Sequence, residues 1–198
     1  MSGFVAEHHW LPGRYGRADG PPGLYARVMQ PLGIASLVAH RDAQAALIDT
    51  VRDAFGLDLP ATPSWGRAPG LRALWAGPGK WLIVAEGDVE AALTDRLGAH
   101  ASVTDQTDAR TVMHISGVRA ADALARGIAV DLHPRAFATG RVALTMAAHV
   151  AVVLWREDDA PTYGLAVPRS LAGGVAGWLI ESSLEYGLMI ERAGTLLP

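Results

Sequence analysis

Residues 163–187 read YGLAVPRSLAGGVAGWLIESSLEYG, a short strand running into the longest helix that the chain's pattern predicts. Tyr163, Leu165 and Val167 alternate with smaller residues, the period-two pattern of a half-buried strand. Pro168 discourages an earlier helix start, and Ser170 offers an N-cap oxygen. From Leu171 the period becomes helical, with Leu171, Val175, Trp178, Leu179 and Tyr186 on one stripe at about 100° per residue. The opposite side gathers Gly173, Gly177, Ile180 and Leu184, none of them charged. Glycine inside a helix costs roughly 1 kcal/mol relative to alanine. That side is therefore expected to meet another surface at short range, either the helix predicted at 43–55 or a partner chain.

Working outward, 198 residues are enough for a substantial core in one domain or a tightly joined pair. Hydrophobic residues make up 50% and charged residues only 19%, below the usual quarter, which favours a surface partly covered by partners. The net charge of −3 and the lack of any basic block argue against nucleic-acid binding. Without cysteine there is no disulfide, thiolate metal site, iron–sulfur cluster or cysteine nucleophile, and a cytoplasmic location is expected. The first residues lack an apolar h-region, so no signal peptide is expected. The most apolar run, Val142 to Trp155, contains His149 and is too short to span a bilayer.

Residues 1–23 are rich in Gly, Pro and Arg and read as an extended arm, disordered alone or laid across a neighbour through Trp10 and Tyr15. Two strands, 24–29 and 33–39, flank Pro31-Leu32-Gly33. Asp42 then caps a helix over 43–55 that buries Leu47, Val51 and Phe55 and stops at Gly56. Residues 57–70, with Pro60, Pro63, Gly66, Pro69 and Gly70, read as a long loop. A hairpin follows, 71–76 and 80–85 around Gly77-Pro78-Gly79. Asp88 caps a helix over 89–97. Strands 102–105 and 110–115 lie around Gln106-Thr107-Asp108, and a helix covers 119–126. Residues 131–137 make a helical turn and loop. A meander of 141–147, 149–156 and 162–167 leads into the closing helix. The fold class is thus α+β, with antiparallel hairpins and intervening helices. After the arm, 24–198 reads as a single domain of two pseudo-repeats, about 24–100 and 101–190.

The search for chemistry yields no catalytic, cofactor-binding or metal residues. Gly77-Pro78-Gly79-Lys80 lacks the P-loop frame and sits in a hairpin. The seven histidines, including His8, His9, His114, His133 and His149, show no metal-ligand spacing; beside Asp131, His133 has the makings of an ionic pair. Asp105, Asp108 and Arg110 form the best polar constellation. Either two carboxylates are positioned by an arginine for acid–base work, or Asp and Thr shape a tight turn and the arginine pairs with one carboxylate. Ser170 lacks the Gly-x-Ser-x-Gly setting of a nucleophile. The six tryptophans suit an interface or an ordinary core.

Several motifs in order carry a resemblance. They are Trp75-Ala76-Gly77-Pro78-Gly79-Lys80-Trp81-Leu82, Val103-Thr104-Asp105-Gln106-Thr107-Asp108-Ala109-Arg110, and Ser116-Gly117 before an alanine-rich helix. Asp131-Leu132-His133-Pro134 with Phe137 and Gly140, Leu154-Trp155-Arg156, and Pro168-Arg169-Ser170 complete the set. Over roughly residues 24–187 this order resembles the gamma subunit of heterotetrameric sarcosine oxidase. The resemblance implies a fold similar to the folate-binding domain of the glycine-cleavage T-protein. It also implies a non-catalytic, structural and assembly role in a complex that demethylates sarcosine oxidatively. FAD, FMN, NAD and tetrahydrofolate would lie on other subunits, which would be this chain's partners. The T-protein carries a glycine–glycine and paired-aspartate motif before the corresponding hairpin, whereas residues 61–70 here, ATPSWGRAPG, hold no carboxylate. A stand-alone tetrahydrofolate-dependent one-carbon transferase is the rival reading, and the missing aspartates count against it. A subunit of a related N-methyl amino acid dehydrogenase is another.

On the sequence alone, Gly177→Leu is expected to disrupt folding or assembly through overpacking, as read by thermal unfolding and by recovery of partner chains.

Overall fold

The deciding stretch folds as a strand over Thr162–Pro168, a 3-10 turn over Arg169–Leu171 and an α-helix over Ala172–Ser183. The structure is a computed structural model and describes residues 10–30 and 32–194. Its elements are β1 (Gly13–Tyr15), β2 (Leu24–Val28), β3 (Leu32–Ala39), α1 (Gln44–Phe55), β4 (Trp65–Ala68), β5 (Leu71–Gly77), β6 (Lys80–Glu86) and α2 (Glu90–Leu97). After these come β7 (Ala101–Asp105), β8 (Arg110–Ser116), α3 (Ala120–Leu124), β9 (Val142–Ala147), β10 (Val150–Asp158), β11 (Thr162–Pro168), α4 (Ala172–Ser183) and β12 (Leu188–Ile190). The class is α+β, and the chain divides into two compact units.

The unit Gln30–Asp108 is built on a five-stranded sheet in the order β4-β5-β6-β3-β7, with every pairing antiparallel. Leu47 and Val51 of α1 and Leu93 and Leu97 of α2 pack with Leu37, Ala73, Trp81 and Ile83 of the sheet. Of the predicted stripe, Leu47 and Val51 are buried, while Phe55 is only partly buried against the same core. Gly56 ends α1 at φ 62°, donating its N–H to Arg52 O. Asp42 does not cap α1. It sits at φ 61°, and the N-cap position falls to Ala43, which makes no side-chain bond. A capping carboxylate needs an extended backbone at the cap itself, which a left-handed residue one step earlier does not supply. Asp88 does serve the start of α2, its Oδ1 accepting the N–H of Glu90 at 3.2 Å. The predicted loop 57–70 contains a strand, β4. Its backbone finds partners along β5, so Pro63 and Pro69 bound an edge strand rather than exclude one.

The unit Ala109–Gly194, which also takes the chain up to Met29, has a seven-stranded sheet in the order β1-β12-β2-β8-β11-β10-β9. Tyr163, Leu165 and Val167 of β11 share one core with Met113, Ile115 and Leu154, but the strand is not half-buried as their alternation predicts, since Thr162, Gly164 and Ala166 between them are buried as well. Val175 and Leu179 of α4 are fully buried there, and Trp178 and Tyr186 pack against the same core. Leu171 departs from the expected stripe and is 48% exposed. The 3-10 turn delays the α register to Ala172, which takes the buried place instead, and Ser170 lies inside that turn rather than capping α4. His149, expected in a strand, occupies with Ala148 the two-residue turn between β9 and β10, at φ 68° and 47°. Two left-handed residues match the twist that such a hairpin requires.

The largest correction concerns pairing. Neither β2 with β3 nor β7 with β8 forms a hairpin. β2 lies antiparallel to β8, and β7 lies antiparallel to β3. The order β2-β3-α1-β4-β5-β6-α2 recurs as β7-β8-α3-β9-β10-β11-α4, and the first strand of each run is placed in the other run's sheet. Alternation says which face of a strand is apolar, and it leaves open which neighbour completes the ladder. Among the described strands, β2 and β12 pair in parallel, and the bridge between Met29 and Gly194 is parallel too.

The arm is also corrected. Residues 1–9 lie outside the described residues; in the rest of the arm Trp10 is buried in its own chain's core and Tyr15 packs against that core, while the other residues of 11–22 are exposed or half-exposed. Trp10 is 6% exposed within the core of the seven-stranded unit, and β1 pairs with β12. The N–H of Arg17 bonds Leu184 O at 2.8 Å. Leu184 therefore has a close neighbour, and that neighbour is the arm.

Two substitutions test this packing. Gly164 lies opposite Trp155 in the β10–β11 ladder, and a Cβ there would clash with the indole ring. Gly164→Ala is expected to cost roughly 1–3 kcal/mol in urea unfolding, since the ring has to leave its place. Trp10→Ala is expected to cost about 3–5 kcal/mol in the same assay, the usual loss for truncating a buried indole. An arm that merely awaits a neighbour would give no change.

Candidate functional site

The residues with the most chemical potential in the sequence are put to structural use. Asp105 ends β7, and its Oδ1 accepts the N–H of Thr107 at 2.8 Å, an Asx turn. The Thr107 hydroxyl and then its N–H hold the Asp105 carboxyl below the usual carboxylate range. Thr107 Oγ1 in turn accepts the N–H of Ile34 at 3.0 Å. Asp108 follows in the connection to β8. Arg110 opens β8 in the seven-stranded sheet, opposite Pro168, while Asp105 belongs to the five-stranded sheet. Burial pulls the Arg110 guanidinium below its ordinary value. Of the two readings of this constellation, the geometry of Asp105 and Thr107 is that of turn shaping.

His114 is buried in β8, opposite Arg27 on one side and Gly164 on the other. His133 makes its contacts through the backbone turn. Its N–H donates to Asp131 Oδ1 at 2.9 Å, and its Nδ1 accepts the N–H of Arg135 at 3.2 Å. The carboxylate thus meets the main chain of His133. His8 and His9 lie outside the described residues. Among the described residues, no group of three or more His, Cys, Asp or Glu side chains is gathered as metal ligands.

Other motif residues interlock. Arg156, 2% exposed, donates from Nη1 to Phe137 O and from Nε to Asp158 O, both at 2.9 Å. The N–H of Gly140 bonds Arg156 O at 3.1 Å. The run 131–140 is thereby clamped to the end of β10 by backbone carbonyls and one buried cation. Asp158 Oδ1 accepts from the N–H groups of Ala160 and Thr162 and so shapes the acidic turn. In the other unit Trp75 and Trp81 face each other across the hairpin, and Trp81 Nε1 donates to Pro60 O at 2.8 Å. Arg72, buried in β5, lies 5.2 Å from the Trp65 ring, and burial pushes its pKa down to about 10.

A depression of about 490 Å³ lies in the five-stranded unit at the N-terminal end of α1, lined by His40, Arg41, Asp42, Gln44, Gly79 and Lys80 among others. His40 Nε2 lies 3.2 Å from Ser102 Oγ. Charge of both signs lines this hollow, with Lys80 coming from the Trp75–Leu82 motif and Arg41 and Asp42 from outside the motifs.

The outward side of α4 differs from this. At Gly174 and Gly177 an added Cβ would meet nothing within 4 Å, and Leu184 is 46% exposed. The sequence expects Gly173, Gly177, Ile180 and Leu184 to meet either the helix at 43–55 or a partner chain. Ile180 packs on the core of its own unit, and within that unit nothing outside the helix's own backbone and Gly177's neighbours lies within 4 Å of a Cβ added at Gly177.

The Asp105 turn makes a pH prediction. A carboxyl whose pKa is lower folded than unfolded adds stability above its ordinary pKa, near 3.9, and loses it as pH falls through the folded value. Asp105→Asn is expected to cost well under 1 kcal/mol at neutral pH because the group is exposed. The difference from the parent should shrink as pH falls below the ordinary carboxylate range in urea titrations. A difference that does not vary with pH would remove the ionised carboxylate from the turn.

A family model described as the sarcosine oxidase, gamma subunit family matches residues 40–185. The chain is 34% identical over 128 residues to the sarcosine oxidase subunit gamma of Arthrobacter sp., a match covering 61% of each chain. It is 33% identical over 140 residues to that of Corynebacterium sp. strain U-96, covering 67% of each. The chain thus spans about 61% of the length of the first of these relatives. Its structure is similar to a chain of heterotetrameric sarcosine oxidase from Corynebacterium sp. U-96, with a TM-score of 0.74, 28% identity, and 87% and 88% of the two chains covered. The glycine cleavage system aminomethyltransferase T from Bartonella henselae shares the fold, with a TM-score of 0.60 at 13% identity over 87% of this chain and 48% of that one. Taken together with the order of its motifs, these matches show that the chain belongs to the sarcosine oxidase gamma subunit family.

Proposed function

We propose that this chain serves as the gamma subunit of a heterotetrameric complex that oxidatively demethylates sarcosine, and that it docks and stiffens the catalytic subunits instead of carrying out chemistry itself. FAD, FMN, NAD and tetrahydrofolate then reside on those other subunits, and the assembly is cytoplasmic. Within the described residues no helix is long and apolar enough to cross a membrane. The repeated order of elements supports reading 24–198 as one duplicated domain. The family's motif residues serve turns, clamps and core packing, which agrees with a structural role.

The observation that carries the docking role is the outward face of α4. Exposed Asp49, Arg52 and Asp53 solvate α1, and exposed Asp95 and Arg96 solvate α2. Glu181 is the sole charged residue in α4, and its outward side presents Gly174 and Gly177 between the half-exposed Leu171 and Leu184. Neither glycine has a positive φ that would require it, so the helix carries their propensity cost without a reason inside the chain. Close approach by a partner subunit supplies one.

Co-expression with the flavoprotein subunits of the complex tests this. Recovery of the chain with those subunits is the expected result, and a chain that stays a lone, stable monomer would overturn the subunit reading. Gly177→Leu separates the face from the function. With no described side chain within 4 Å of an added Cβ, the isolated variant is expected to unfold at the same temperature as the parent or slightly above it. Partner recovery should fall at least tenfold, about 1.4 kcal/mol of lost docking. Full recovery of the complex by that variant would move the docking surface away from α4. Tetrahydrofolate binding by the isolated chain would instead favour the transferase reading.

A further inference from the structure

We draw no further inference here: the strongest candidate, the depression at the N-terminal end of α1 lined by His40, Arg41 and Lys80, rests on a helix terminus and surface cations, and no second feature of the structure points to a ligand there.

Discussion

The seven-stranded sheet depends on β2, which lies between β8 on one side and β12 on the other. Leu24 and Ala26 bring their side chains into the same core as α3 and α4. Their backbone satisfies two ladders at once, one antiparallel and one parallel. An orphaned ladder in a buried sheet costs as much as a lost set of hydrogen bonds, so the strand is not dispensable. β12, the arm and the end of α4 are all secured through it. β1 reaches the sheet only by way of β12, and Gly23 bonds Tyr186 O and Gly187 O.

Much of this architecture was legible in the sequence wherever the determinants are local. The hairpin at Gly77-Pro78-Gly79, the meander from β9 to β11 and the end of α1 at Gly56 each follow from residues that set their own backbone. What stayed hidden is non-local. β2 and β3, a few residues apart, join different sheets, and so do β7 and β8; alternation is the same whichever neighbour is taken. β1 and β12 are three residues each, too short to show a period. At Asp42 and Ser170 the residue type was right for a cap while the backbone was not. At the Asp105 constellation the sequence left two readings open, and the bond from the Thr107 N–H to Asp105 Oδ1 is that of a turn.

The motif residues show how one buried cation ties neighbouring segments together. Arg156 is buried because three oxygen acceptors surround it, the carbonyls of Phe137 and Asp158 and the carboxylate of Asp159. A buried cation without such acceptors would be expensive, and replacing Arg156 would strand Phe137 O as well. The fold shared with aminomethyltransferase T at 13% identity is a statement about topology, and function has to be argued from surfaces.

The exchange of first strands also bears on how the chain is made. During synthesis β2 leaves the ribosome early, yet its antiparallel partner β8 and its parallel partner β12 come much later. The five-stranded unit completes once β7 emerges, so it can close first, while β2 and the arm wait with unpaired edges. Nascent chains truncated between β7 and β8 would thus hold one finished sheet and a sticky N-terminal tail. Such an intermediate is prone to aggregate, and a chaperone or a co-translated partner would shield it best at that stage.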